Sequence, residues 1–512
     1  MNERPLYDHL QCVDLGNGIA EHDNLLRKCL VETQHFTDLL WDRIDLVLGS
    51  KGSGKSSLFR MFGEILEDSL LKNSNTIVVA GVETKGEPVF QAYAEDFQKF
   101  SEAQFETFWK AYLLGLVYNK IFHDDRIVAI FASHEADLMH FKKLYENLGL
   151  IDVGRITSPT KLLKLVCAFT IAATEGFKFA WDIEKNQLVF GLNIREKIDE
   201  GYKEIAVPNL TKMDTVLCID ALSHLAQISG YKIWVILDHL DVVFKRRSTE
   251  ETRALRALLK VLYAFTSDHV RLKIFLRDDI LDSISSDSEE PLAAVSHITA
   301  RSGPNLKWTS DSLCVMIMKR LASDFWLSTK YGLDLSRLND VDYARENFQK
   351  IFAFKYVTQQ AFDWIFSLLA DGRGIVTPRD LIDLLKKALH IQSLWLQKHP
   401  DKNEFMTIAA IQEAHKELSK NRKETVLQTE FSHLMHWIRK LERNKERYGK
   451  DELPSFFGAD AEKAISTLLA IGVLQFDHKK SCYNVAKLYG AGLQVYATRA
   501  KRQPSASSGE EN

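Results

Sequence analysis

The sequence predicts an α/β fold that is built on a parallel sheet and followed by further, mainly helical domains. Short apolar runs at 44–48, 231–237 and 270–276 alternate with segments of helical periodicity, the pattern typical of parallel strands joined by helices. A glycine-rich turn joins the first run to a helical segment. The chain has 512 residues, and at about 100–200 residues per domain this length favours two to four domains.

Composition narrows the functional classes. Hydrophobic residues make up 46% and charged residues 26%, with a formal net charge of -3, so the chain is not wholly disordered and has no global attraction to nucleic acid or anionic membranes. The six cysteines form no CxxC pair, as expected for reduced thiols. The apolar stretch 165–174 is far shorter than the roughly 20 residues of a membrane span. We therefore expect a cytoplasmic protein with no membrane partner, and a core helix at this stretch.

The glycine-rich turn carries the most specific motif. Residues 49–57 read GSKGSGKSS and match the phosphate-binding pattern G-x-x-x-x-G-K-[ST] between a strand and a helix. Lys55 is expected to neutralise the β- and γ-phosphates, and the Ser56 hydroxyl to ligate Mg²⁺. The motif predicts a P-loop NTPase fold with ATP and Mg²⁺ as cofactors, and a helix from Lys55 to about residue 67. The predicted nucleotide-binding residues are Gly49, Ser50, Lys51, Gly52, Ser53, Gly54, Lys55, Ser56 and Ser57.

A second strand ends in a carboxylate, as a Mg²⁺ site opposite the loop requires. The apolar run 231–237 leads into Asp238, which fits the metal-binding carboxylate of a Walker B strand. Many ATPases have an acidic residue next, which polarises the attacking water, but this position is His239. Asp241 is the next carboxylate, and two interpretations stay open for it: it takes that catalytic role, or it caps the following helix.

A third strand, 270–276, ends at Arg277. A polar side chain at the tip of a strand beside the Walker B strand can reach the γ-phosphate, so Arg277 is a candidate sensor of hydrolysis. Residues 305–308 are a further predicted strand, which leads into a helix from 309 to about 323.

This order of motifs resembles the AAA-like P-loop ATPases, especially the origin-recognition-like and STAND types with a helical lid and a winged helix. The strings that carry the resemblance are GSKGSGKSS, VILDHLD, IFLRDDI, NLKW and TPRDLIDLLKKAL. The resemblance implies that Arg379 is the sensor 2 arginine of the lid. The alternative is that Pro378 opens the helix and Arg379 is solvated. Bacterial relatives of this kind often belong to mobile-element or antiphage defence systems, which makes defence a possible setting.

A helical insertion is predicted at about 86–213, because these residues exceed what one crossover helix needs. Its aromatic residues, including Phe105, Phe108 and Trp109, favour a packed core over a surface for stacking nucleobases. Residues 177–182 and 187–192 flank a polar turn and predict a hairpin.

The C-terminal region reads as helix, loop, helix and hairpin, the order of a winged helix. Basic residues cluster in this region, with acidic residues among them. A DNA groove and a docking partner protein are therefore both candidate ligands. The basic residues are Arg439, Lys440, Arg443, Lys445, Arg447, Lys450, Lys479, Lys480, Arg499, Lys501 and Arg502.

The predicted domains are a P-loop ATPase core (1–310), a helical lid (311–395), a winged-helix-like domain (396–502) and a disordered tail (503–512). The predicted function is a Mg²⁺-dependent ATP hydrolase that acts as a nucleotide-driven switch or remodelling subunit. The alternative is a slowly hydrolysing, nucleotide-bound DNA-binding protein or scaffold. We expect a homo-oligomer with a separate effector or partner protein. An oligomer would need an arginine finger, and the sequence does not select among Arg246, Arg247, Arg253, Arg256 and Arg301.

Overall fold

The computed structural model describes residues 5–65, 75–81, 97, 100–148, 159–175, 179–182, 187–190, 202–205, 212–240, 248–285 and 299–496. The chain divides into two compact units. The sheet unit comprises Glu32–Leu306, and the helical unit comprises Met1–Val31 together with Lys307–Asn512. The first 31 residues therefore pack with the C-terminal half of the chain, and the four-domain division stays a prediction.

The α-helices alternate with strands in the first half of the described chain. They are α1 (Leu6–Cys12), α2 (Gln34–Leu40), α3 (Lys55–Arg60), α4 (Glu102–His123), α5 (Asp125–Phe131), α6 (Glu135–Asn147), α7 (Pro159–Glu175), α8 (Lys212–Ser229), α9 (Thr249–Val261) and α10 (Asp278–Ser285). The strands of the sheet unit are β1 (Leu46–Gly49), β2 (Thr76–Gly81), β3 (Phe179–Asp182), β4 (Gln187–Phe190), β5 (Tyr202–Ile205), β6 (Lys232–Leu237) and β7 (Val270–Arg277).

A four-stranded parallel sheet lies at the centre of the sheet unit, in the order β1-β7-β6-β2. Its strands are rich in β-branched residues and almost wholly buried, as expected for a sheet covered on both faces. The predicted α/β class with a parallel sheet is confirmed. The helix after the glycine-rich loop differs from its prediction, because it is α-helical to Arg60 and continues as a π-helix over Met61–Ile65.

The predicted strand at 305–308 is wrong as a regular strand. Gly303 N donates to Leu46 O at 3.2 Å and Leu306 N donates to Leu48 O at 2.6 Å, so the segment follows the free edge of β1. The donors Gly303 and Leu306 lie three positions apart, whereas the acceptors Leu46 and Leu48 lie two apart, so the pairing lacks the regular register of a parallel strand.

The insertion contains helices α4 to α7 and a three-stranded antiparallel sheet in the order β4-β3-β5. The predicted hairpin is present as β3 and β4, with Phe179 opposite Phe190, whereas β5 was not predicted. Phe105, Phe108 and Trp109 are fully buried in α4, which confirms their prediction as core residues. The apolar stretch 165–174 lies inside α7, as predicted.

The helical unit continues the chain in a mainly α-helical arrangement. Its later helices are α11 (Ser310–Ala322), α12 (Phe325–Tyr331), α13 (Val341–Ile351), α14 (Ala361–Leu369), α15 (Pro378–Lys398), α16 (Ile408–Arg422), α17 (Gln428–Glu430), α18 (Met435–Leu441), α19 (Glu452–Phe457), α20 (Ala461–Ala470) and α21 (Lys487–Gly490). Its strands are β8 (Lys355–Tyr356), β9 (Gln359–Gln360), β10 (Arg447–Gly449), β11 (Leu474–Asp477) and β12 (Cys482–Val485).

One buried ion pair and hydrogen bonds to backbone oxygens join the N-terminal segment to the later helices of this unit. Arg320 of α11 donates to Asp23 Oδ2 at 2.6 Å and to Leu15 O at 2.8 Å, and both charged side chains are almost fully buried. Lys386 of α15 donates to Gly16 O at 2.8 Å. These contacts, between residues 297 to 370 positions apart, explain why the segment before the sheet unit packs with helices that follow it.

The C-terminal part has the predicted order of helices α19 and α20 followed by the hairpin β11–β12. Strand β10 adds to β12, which gives a three-stranded antiparallel sheet in the order β10-β12-β11. Residues 499–502 of the predicted basic group lie outside the described residues. No helix in the described ranges has both the length and the apolar character needed to cross a bilayer.

A buried cation at the amino end of the sheet ties β7 to the segment before β1. Lys273 is 1% exposed, and its Nζ lies 2.6 Å from Asp42 Oδ1, 3.2 Å from Asp45 Oδ1 and 4.5 Å from the centre of the Trp234 ring. Arg301 also donates to Asp45 Oδ2, at 2.5 Å. The cluster therefore places the cations of Lys273 and Arg301 in contact with carboxylates at the amino end of the sheet.

We expect Lys273→Met to lower the free energy of unfolding by about 3 kcal/mol, because it leaves two buried carboxylates without this partner. Urea denaturation followed by circular dichroism measures the change. Lys143→Met, at an exposed position on α6, is the matched control. A loss for Lys273→Met no larger than that of the control would contradict the stabilising role of the cluster.

Candidate functional site

Three predicted site segments meet at one edge of the parallel sheet. Strand β7 lies between β1 and β6, and Gly49 is in register with Arg277. Leu237, which pairs with Ile274, is followed directly by Asp238. Because the carboxyl ends of parallel strands share an edge, the structure brings the glycine-rich loop, Arg277 and Asp238 together.

The loop backbone depends on its glycines. Gly52 and Gly54 have φ angles of 82° and 100°, which non-glycine residues rarely adopt. A Cβ atom on Gly49 would lie 2.6 Å from Ser53 Oγ, so a side chain there would force the loop open. Leu58 N donates to Gly54 O at 3.0 Å, which starts the helix at the end of the loop. The amino terminus of α3 and its partial positive charge therefore follow directly from the turn.

Lys55 folds back over the loop. Its Nζ donates to Gly49 O at 2.7 Å and to Ser50 O at 3.0 Å, and the residue is only 8% exposed. The ammonium group is therefore held at the mouth of the loop by carbonyl oxygens. A phosphate would replace neutral acceptors with charged ones, which form stronger hydrogen bonds to an ammonium group.

Asp238 and Ser56 face each other across the site. Asp238 is 4% exposed, and burial raises the pKa of its carboxyl group, while His239, a hydrogen bond with Ser56 and nearby Lys55 act to lower it. Its Oδ2 is buried and has no hydrogen-bond partner among the residues that the structure describes. A carboxylate oxygen without a partner beside a serine hydroxyl is a donor set that suits Mg²⁺. The residues present therefore fit the cation that the motif implies.

His239 occupies the position after the metal-binding carboxylate. Its φ angle of 61° is unusual for a residue with a side chain, and its Nε2 lies 3.6 Å from Asp238 Oδ2. That distance is too long for a hydrogen bond. Asp241, the predicted water-orienting residue, lies outside the described residues, so both of its interpretations stay predictions.

Arg277 is buried at the tip of β7 and binds a carboxylate that the sequence did not single out. Its Nε donates to Asp279 Oδ1 at 2.9 Å and its Nη2 to Asp279 Oδ2 at 2.8 Å. The signal was the string Arg-Asp-Asp directly after the strand. Neither carboxylate was assigned a role there, because sequence spacing alone does not show which one binds the guanidinium group.

Arg379, the predicted sensor 2 residue, lies in the helical unit at the start of α15. Thr377 caps this helix and Pro378 occupies its first turn, as the alternative interpretation requires. The Arg379 Nε nevertheless donates to Gly18 O at 2.9 Å, so the side chain is not simply solvated. Its role towards nucleotide stays a prediction.

Two of the five arginines considered as fingers have structural roles within the chain. Arg256 is buried with its Nε 3.4 Å from Glu102 Oε2, and Arg301 binds Asp45. Arg253 is partly exposed, while Arg246 and Arg247 lie outside the described residues. The structure therefore disfavours Arg256 and Arg301 as residues that act on a neighbouring subunit.

No family model and no curated protein matches the sequence. Among solved structures, the chain is similar to the Aeropyrum pernix ORC2 protein, determined as ADPNP–ADP complexes. The identity is 13%, the match covers 92% of this chain and 90% of that chain, and the TM-score is 0.37. A likeness of this size carries no argument about fold or function, which therefore depend on the residues and contacts described above.

We expect Asp238→Asn to weaken nucleotide binding in the presence of Mg²⁺ by about 10–100-fold, since even second-shell partners of a metal contribute on this scale. Binding in EDTA should stay close to that of the wild type, because the amide preserves the shape of the side chain. Isothermal titration with and without Mg²⁺ measures both values. Asp220→Asn, at an exposed position on α8, is the control. An unchanged response of Asp238→Asn to Mg²⁺ would remove this residue from the metal site.

Proposed function

We propose that the protein is a Mg²⁺-dependent ATPase in which bound nucleotide switches the state of a multidomain machine. The observation that carries the proposal is the pairing of Asp238 with Ser56 at the mouth of a glycine-rich loop. A buried carboxylate without a full set of partners is costly. A bound cation offsets this cost, which supports a site for a metal–nucleotide complex.

Each residue of the site has a distinct task in this proposal. The backbone N–H groups of the loop bind phosphate oxygens, and Lys55 exchanges the carbonyls of Gly49 and Ser50 for the β- and γ-phosphates. Ser56 and Asp238 hold Mg²⁺, which neutralises charge on the phosphates when bound. Arg277 stabilises charge on the γ-phosphate from the neighbouring strand. The switch follows because these contacts differ between ATP and ADP.

A slowly hydrolysing scaffold or DNA-binding switch is the second candidate. The favouring observation is His239, whose imidazole stands where an acidic side chain would polarise water. Its left-handed backbone fixes this residue at the edge of the site. Without a carboxylate at this position to polarise the attacking water, bound ATP would be hydrolysed more slowly.

The C-terminal region supports a docking role more than a DNA groove contact. Its helix α20 exposes both Glu462 and Lys463. Lys445 forms a salt bridge with Glu452, and Lys480 Nζ lies 3.8 Å from Asp477 Oδ2. These pairs reduce the positive field that attracts DNA phosphates. We therefore place the remodelled partner in a separate protein chain, and the resemblance makes bacterial defence one setting for it.

We expect the wild type to hydrolyse ATP in a single-turnover assay, with Asp241→Asn retaining ATP binding but losing at least about tenfold in rate, if Asp241 orients the attacking water. Asp220→Asn is the control and should match the wild type. Rates that are equal in wild type and Asp241→Asn would favour the helix-cap interpretation. Bound ATP that stays intact in the wild type would favour the scaffold over the ATPase.

A further inference from the structure

The salt bridge between Arg277 and Asp279 is bidentate and fixes the orientation of the guanidinium group. Both carboxylate oxygens bind the same guanidinium group, at 2.9 and 2.8 Å. The Arg277 side chain is 10% exposed, while that of Asp279 is 40% exposed. A two-point contact between planar groups fixes orientation as well as position.

This pair uses one side of the guanidinium group. An arginine has five N–H donors in a planar fork, and Asp279 binds one on Nε and one on Nη2. Because Arg277 is in register with Gly49, the fork is held beside the strand that leads into the glycine-rich loop.

We propose that Asp279 is a positioning residue that orients Arg277 for recognition of the γ-phosphate, so that the pair makes the site prefer ATP to ADP. This inference rests on the proposed function. Asp279 itself contacts no phosphate, since two anions in contact would repel each other. It acts through Arg277, which it holds in one rotamer at the edge of the sheet.

A local structural role does not explain the contact. Asp279 lies in the first turn of α10, where an acidic residue favours the helix dipole. Its neighbour Asp278 already binds a backbone group there, because Asp278 Oδ1 accepts a hydrogen bond from Asp279 N at 3.0 Å. Asp279 directs both of its oxygens to Arg277 instead. A helix-stabilising role would also have no effect on the choice between two nucleotides.

The opposite mechanism, in which Asp279 keeps Arg277 away from the phosphate, predicts the opposite change in the preference for ATP over ADP. If Asp279 sequestered Arg277 from the phosphate, removal of its charge would release the arginine and increase the preference for ATP. If it positions Arg277, removal of its charge lets the fork rotate and decreases that preference. The ratio of two affinities therefore separates the mechanisms.

The test is isothermal titration of the full chain with Mg²⁺ and either a non-hydrolysable ATP analogue or ADP. The variants are Asp279→Asn, Asp279→Glu, Arg277→Ala and the double variant Asp279→Asn/Arg277→Ala. The matched control is Asp268→Asn, because Asp268 pairs with Arg271 of the same strand at 3.0 Å, near its amino end. Thermal melting checks that each variant is folded.

We expect Arg277→Ala to reduce the preference for the ATP analogue by about tenfold, the scale of one charge-assisted hydrogen bond. Asp279→Asn should reduce the preference for the ATP analogue by about threefold or more, but by no more than Arg277→Ala does. Asp279→Glu should recover part of this loss. In the Arg277→Ala background, Asp279→Asn should add nothing, because the two residues act as one unit. Asp268→Asn should leave the preference unchanged.

An unchanged or increased preference in Asp279→Asn would overturn the inference, as would additive losses in the double variant. Those results would leave the proposed function intact, provided that the wild type binds both nucleotides. A wild type that binds neither would overturn the proposed function and this inference with it.

Discussion

The burial of Asp238 is the constraint on which the arrangement of the site depends. A carboxylate that is 4% exposed loses most of its hydration, and such a loss is tolerated only when hydrogen bonds or opposite charge replace the water. Ser56 supplies one hydrogen bond, and Lys55 lies close enough to contribute favourable charge. Lys55 and Ser56 begin helix α3, and Asp238 follows strand β6, so the parallel register of the sheet is what brings their charges together.

Charge is distributed differently at the two ends of the sheet. At the amino end, Lys273 is bound by Asp42 and Asp45, and the charges are satisfied within the chain. At the carboxyl end, Lys55 is bound by neutral carbonyl oxygens, and within the described part of the chain Asp238 keeps a buried oxygen without a hydrogen-bond partner. The charges at the amino end therefore stabilise the fold, whereas those at the carboxyl end suit an anionic ligand that binds together with a cation.

The sequence predicted the parts of this account that depend on local pattern. Apolar runs located strands β1, β6 and β7, and the glycine spacing located the loop. Contacts between distant residues were not accessible in this way. The packing of residues 1–31 with the helical unit depends on Arg320 and Asp23, which lie far apart in sequence. The absence of a regular strand at 305–308 follows from the uneven spacing of the hydrogen bonds from Gly303 and Leu306 to β1, which the local sequence pattern does not show. The contact of Asp279 with Arg277 needed the backbone turn after β7.

Nucleotide titration of Lys55→Ala and Lys51→Ala against the wild type shows whether the glycine-rich loop binds phosphate. Lys55 is buried against the carbonyls of Gly49 and Ser50, whereas Lys51 lies in the same loop and is partly exposed. We expect Lys55→Ala to lower ATP affinity by at least about tenfold, since it removes a charged hydrogen bond to phosphate, and Lys51→Ala to have a much smaller effect. Equal ATP affinity in a folded Lys55→Ala variant and the wild type would contradict the assignment of this loop as the phosphate site.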